Sequence, residues 1–279
     1  MDNAFRKISH VNPGRRGGLR CGSVWGGIFV FILILSLPVR ALSIEGYSGS
    51  TWGQVSHDFD SLVGSGTLGY VNQGIDWTTL PGGIGFNTFA EFRYRLRTEN
   101  NDFYNAYGPA LGIEFRKSIF KLGADYYWQR FPGLNELDNK FQIYLTLYSD
   151  WNLKKKIQLL NALPVEGFSG STWDIFSHDF DSLVGSGAQG YLNQGIDWTT
   201  LPGGITFNTF AEFRYRLRTE NNDFYNAYGP ALGIEFRRHI FKLGVDYYWE
   251  RFPGLNEWDN KFQIYLTWYF DWDLMKLKK

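Results

Sequence analysis

Residues Glu45 to Trp151 recur almost unchanged as Glu166 to Trp272, 121 positions further on, with about 15 differences over about 107 aligned positions. A repeat of this length is a domain-sized block rather than a solenoid unit, and any fold must give both copies equivalent places. The match reaches back to Ala41-Leu42-Ser43-Ile44 against Ala162-Leu163-Pro164-Val165. That is the pattern left when a whole gene is copied in tandem and the second leader erodes. The chain accordingly divides into a leader (1–43), a first repeat (44–151), a linker (152–165) and a second repeat (166–279).

The leader reads as a secretory signal peptide. Arg6, Lys7, Arg15, Arg16 and Arg20 precede an apolar run from Trp25 to Leu37, and the small residues Ala41 and Ser43 follow. The run is shorter than the ~20 residues a membrane-spanning helix needs. Setting residues 1–43 aside removes six basic residues and one acidic residue from the 28 of each, leaving a charge of about −5. A nucleic-acid surface is not expected on such a chain. The single cysteine, Cys21, falls within the leader, so no disulfide or thiol-metal chemistry is expected beyond it.

After the leader the apolar residues alternate instead of forming runs. From Ile84 to Arg97 one face reads Ile84, Phe86, Thr88, Ala90, Phe92, Tyr94 and Leu96. The other reads Gly85, Asn87, Phe89, Glu91, Arg93, Arg95 and Arg97. Period two over this length predicts a strand, longer than the usual ~5–6 residues of a soluble sheet. Similar alternation covers 109–116, 120–129 and 141–151, and more weakly 67–77, each with its counterpart in the second repeat. Thr78 to Gly83 and Lys117-Ser118 read as tight turns, Thr98 to Asn105 and Pro132 to Asn139 as longer polar loops. Short turns at one end and longer loops at the other describe an up-and-down meander.

Parity then matters. Five strands per repeat would leave the second copy on the wrong side of the sheet. Ser50 to Val63 supplies a sixth crossing if it is a strand; its Trp52, Val55, Phe59 and Leu62 also fit helical spacing. The expectation is twelve strands, with ten strands and a lumen-crossing helix as the alternative.

The apolar face could meet lipid or a packed core. The first reading is favoured by the charge-free apolar face of Ile84–Arg97, and by tryptophans gathered near strand ends. Trp52, Trp77 and Trp151 (Trp173, Trp198 and Trp272 in the second copy) are expected at the short-turn end, and Trp128 and Trp249 at the long-loop end. In these alternations the chain resembles bacterial outer-membrane β-barrel proteins as a class. The resemblance implies an all-β, antiparallel transmembrane barrel in the outer membrane, surrounded by lipid. It also implies passage through periplasmic chaperones and the barrel-assembly machinery. Members of that class commonly end on an aromatic residue, whereas here Phe262 to Phe270 is followed by Asp271 to Lys279. The competing expectation is a soluble periplasmic binding module of two similar β domains.

The lumen-facing candidates are Glu91, Arg93, Arg95, Arg97, Glu114, Arg116, Lys121 and Asp125. Their copies are Glu212, Arg214, Arg216, Arg218, Glu235, Arg237, Lys242 and Asp246. Such arginine rows either bias a pore toward anions or pair with neighbouring carboxylates. Ser56-His57-Asp58-Phe59-Asp60-Ser61 invites a hydrolase reading, but in a strand His57 and Ser61 stand roughly 13 Å apart, out of hydrogen-bond reach. Asn100-Asn101-Asp102 lacks calcium-loop spacing, and Gly64-Ser65-Gly66 lacks the basic residue and helix of a phosphate loop. No cofactor or metal site is expected. A passive channel or a structural surface barrel is the expected function, without catalysis.

Overall fold

The structure, a computed structural model, describes residues 43–59, 64–98, 105–153, 157–159, 163–180, 185–219 and 226–276. The expected signal peptide lies outside these apart from Ser43, as do Asp60, Ser61, Asn100-Asn101-Asp102 and the lysines at 154–156.

The first repeat supplies β1 (Gly46–Asp58), β2 (Ser65–Leu80), β3 (Ile84–Arg97), β4 (Ala106–Lys117), β5 (Phe120–Phe131) and β6 (Glu136–Leu153). The linker adds a short hairpin of β7 (Ile157–Leu159) and β8 (Leu163–Val165). The second repeat supplies β9 (Gly167–Asp179), β10 (Ser186–Leu201), β11 (Ile205–Arg218), β12 (Ala227–Arg238), β13 (Phe241–Phe252) and β14 (Glu257–Lys276). Twelve of these strands close into one antiparallel barrel, with β6 paired to β9 and β14 paired to β1. Ser50 to Asp58 is therefore strand and not helix, which removes the ten-strand alternative. Two separate β domains are also overturned, because neither set of six strands closes on itself.

Closure removes every free edge in the wall, so each backbone N–H and C=O can be satisfied strand to strand. The turns match their residues. Gly82 and Gly83 both take positive φ (85° and 74°), the geometry a tight hairpin with right-handed strand twist requires. Asn105 clamps the other end of β3: its side-chain amide donates to the Arg97 carbonyl at 3.1 Å, and its carbonyl oxygen accepts from the Arg97 N–H at 2.6 Å. Pro132 to Asn139 is not a long loop, since β5 and β6 run on to Phe131 and Glu136 and leave only four residues in the turn. Residues 271–276 continue β14 against β1 rather than overhanging it.

The polarity is inverted relative to a soluble barrel. Phe92, Leu111, Leu122, Leu192, Leu232 and Phe270 are about half exposed on the outside, at 46–56 %. Asn87, Asp125, Asn208, Asp246 and Glu250 are 0–2 % exposed on the inside. Soluble proteins rarely leave a continuous apolar belt in water, and buried polar groups demand partners.

Candidate functional site: a charged and bridged lumen

The inner face carries hydrogen-bond networks that only a concave wall allows. Arg93 on β3 pairs with Glu91 on its own strand and reaches over β4 to Asp125 on β5. The way is open because β4 presents Ala106, Gly108 and Ala110 inward. A side chain at Gly108 would bring its Cβ within 1.8 Å of the Trp128 carbonyl oxygen, so this strand tolerates no larger residue there. Arg93 also lies 5.2 Å from the Tyr127 ring centre. Gln142 donates to Asp125 at 3.0 Å, and Asn72 donates to Glu91 at 2.9 Å. Arg116 on β4 reaches Glu114 (3.3 Å), Asn87 on β3 (3.3 Å), Asp76 on β2 (3.7 Å) and Ser48 on β1 (3.2 Å).

The second copy repeats this arrangement. Arg214 pairs with Glu212 and Asp246 and lies 5.1 Å from the Tyr248 ring centre. Arg237 meets Glu235 (2.6 Å), Ser169 (2.7 Å), Asn208 (3.0 Å) and Asp197 (3.6 Å). Arg95, Arg97, Arg216 and Arg218 continue the rows toward the long-loop end. One difference is chemical: Glu250 stands where the first copy has Gln129, and it pairs with both Lys261 and Arg216 (2.8 Å). Lys121 lines a cavity of about 400 Å³ with Ser48, Ser50, Asn72, Arg116 and Asp271. Lys242, its copy, projects inward from β13 beside Arg237, its register partner on β12.

Six of the eight tryptophans expected at the rims lie on the outer face near strand ends. Trp77 and Trp198 donate to Thr88 and Thr209 at 2.8 Å, and Trp151 and Trp272 to Gln194 and Gln73 at 3.0 and 2.9 Å. Trp128 and Trp249 pack edge-on against Tyr126 and Tyr247 at the long-loop end. Trp52 and Trp173 are a correction. They sit midway along β1 and β9 and face the lumen, in register with Tyr70 and Tyr269, and with Tyr191 and Tyr148.

That register exposes what sequence reasoning missed. Tyr148 on β6 and Tyr269 on β14 are equivalent residues, 121 positions apart, on strands at opposite sides of the barrel. Their rings stack across the lumen with centres 6.5 Å apart and planes 29° apart. Both stay exposed, at 41 % and 42 %, so the rings stand in open space rather than in a packed core. Twelve strands at ~4.8 Å spacing and ~40° tilt would give a circular wall about 24 Å across, far too wide for two tyrosines to meet. The cross-section is therefore oval, with β6 and β14 on its short axis.

His57 and Ser61 form no pair that the described residues show, since Ser61 lies outside them. Instead His57 Nδ1 hydrogen-bonds Ser65 Oγ on β2 at 3.0 Å, and His178 repeats this with Ser186 at 2.9 Å. Both pairs are exposed on the outer face, with the imidazole edge-on to Phe59 or Phe180. Asp58 and Asp179 point to the opposite face and do not orient the imidazole. A histidine without an orienting partner is a poor general base.

No protein-family model and no curated protein matches the chain. Solved structures do. An outer membrane channel from Pseudomonas putida F1 is 11% identical with a TM-score of 0.36, over 84% of this chain and 99% of that one. A bacterial polysaccharide outer membrane secretin gives 10%, 0.35, 82% and 99%, and the outer membrane protein OpdK from Pseudomonas aeruginosa 7%, 0.32, 82% and 100%. What this chain does has to be argued from its own geometry.

Proposed function

We propose that this protein is a narrow passive channel in an outer membrane, selective for small solutes by the charge and width of its lumen. The observation that carries this is the inverted polarity of a closed wall: an apolar belt outside, and inside a lumen of ion pairs with residual open volume. Lipid is the solvent that makes such an outside favourable. A charged inner wall is what a water-filled path requires. On this reading residues 1–43 are the export signal, and the two repeats are half-barrels descended from one copied gene. Delivery then involves periplasmic chaperones and the assembly machinery of that membrane.

Purified protein reconstituted in planar bilayers is expected to give small, discrete conductance steps. Recovery in the soluble periplasmic fraction without detergent would remove the membrane reading, whereas detergent-dependent, heat-modifiable protein with no conductance would leave the barrel and remove the channel.

A further inference from the structure

We infer that Tyr148 and Tyr269 form a septum that divides the lumen into two parallel passages, each walled by five strands (β1–β5 or β9–β13) together with the septum-bearing β6 and β14, and each limited to small hydrated ions. The inference rests on the channel reading and deepens it. Three observations carry it. The rings meet across the short axis of the oval, so nothing passes between them. The row in register with them is aromatic on both sides: Trp52 and Tyr70 continue from Tyr269, and Trp173 and Tyr191 from Tyr148. The cavity of about 400 Å³ has Tyr269 as one wall and otherwise draws its inward-facing wall from β1, β2, β4, β5 and β14, so it lies wholly on one side of the septum.

The two passages are not electrically equal. The first holds Gln129 where the second holds Glu250, so the second carries one more negative charge among otherwise matching inward charged residues. A single barrel would then show a current made of two unequal parallel components. Solutes of sugar size are excluded from both, because each half of the oval has to accommodate the inward arginines as well as its share of the septum.

The test compares wild type with the Tyr148→Ala/Tyr269→Ala and Tyr148→Phe/Tyr269→Phe pairs in planar bilayers, with potassium chloride and graded polyethylene glycols as size probes. Removing the rings merges the passages, so the alanine pair should raise conductance at least about twofold and admit larger glycols. The phenylalanine pair keeps the rings and should match wild type. Unchanged conductance and cutoff in a folded alanine pair would overturn the septum. A second measurement does not depend on conduction: ruthenium-sensitised photo-oxidation of the folded wild-type barrel should couple the two rings into an intrachain dityrosine. The product should be lost in Tyr148→Phe alone. If coupling occurs and no variant conducts, the septum stands and the channel reading fails. If no coupling occurs in folded wild type, the septum fails whatever the conductance.

Discussion

Where β14 meets β1, Trp268 lies opposite Gly53 and Phe270 opposite Thr51; where β6 meets β9, Leu147 lies opposite Asp174 and Ser149 opposite Thr172. These are equivalent positions in the two repeats, and the barrel needs both joints to close. At the first joint the indole lies flat over the glycine, and a Cβ at Gly53 would come within 2.2 Å of the Trp268 ring. At the second, the smaller Leu147 leaves room for a side chain, and Asp174 accepts hydrogen bonds from Tyr215 (2.7 Å) and Thr172 (2.9 Å). Bulk on one strand is matched by its absence on the partner. Several of the differences between the repeats, at 47, 53, 54, 55, 147 and 149, fall on these four strands. The joints are complementary but not interchangeable: closing β14 on β9 would drive Trp268 into Asp174. The second half is thereby barred from closing on itself, and the first half is not.

The largest effect expected from this contrast is Gly53→Asp, which overpacks the first joint and should destabilise the barrel by about 3 kcal/mol. Urea unfolding in detergent micelles reads it. Adding Trp268→Leu rebuilds the second joint's chemistry in the first and should recover at least half the loss, a coupling of about 1–3 kcal/mol in the double-mutant cycle. Additive losses would mean that the joints do not discriminate by shape.

A smaller effect separates the two interiors. Glu250→Gln gives the second half the residue of the first and strips Lys261 and Arg216 of a shared carboxylate. It should cost about 1–2 kcal/mol, below the ~3–5 of a broken buried pair, because Gln129 shows that the amide fits. It should also shift the reversal potential toward anions, and Gln129→Glu should shift it toward cations, both read under a salt gradient. Matching reversal potentials in all three proteins would place these residues outside the conducting path. The smallest effect belongs to Asp174→Asn. The amide oxygen still accepts from Tyr215 and no charge faces outward, so stability should change by less than about 0.5 kcal/mol. A large loss would show that the carboxylate itself holds the second joint.

The strands from Ile84 to Arg97 and from Phe120 to Phe131 were legible in the sequence because their two faces differ in kind at almost every step. β1 was not. Its outward positions include Thr51, and Gly49 and Gly53, which carry no apolar signal because Trp272 and Trp268 cover them, and its inward positions include Trp52. A large aromatic facing inward defeats a rule that sends apolar residues out. Asp174 runs against the same rule, placing a carboxylate on the outer face where the first copy has Gly53. The pairing of His57 with Ser65 depends on the register between neighbouring strands, and the septum on closure across the whole ring. Neither is visible in a single strand. A clue to the septum was nonetheless present, since equivalent inward residues of a doubled barrel stand related by its axis, and long ones near that axis can meet.

The account depends on the two repeats forming one wall, and a thiol cross-link tests this most directly. The only cysteine of the chain is Cys21, within the expected leader. Thr51→Cys combined with Phe270→Cys puts two thiols on register partners at the first joint, where facing Cβ atoms lie about 5 Å apart. Thr51→Cys combined with Ser149→Cys instead joins the two ends of the first half. The account predicts rapid intrachain cross-linking of the first pair and none of the second in folded, detergent-extracted protein. Efficient cross-linking of Thr51→Cys with Ser149→Cys would show a half closing on itself and contradict the single twelve-stranded wall.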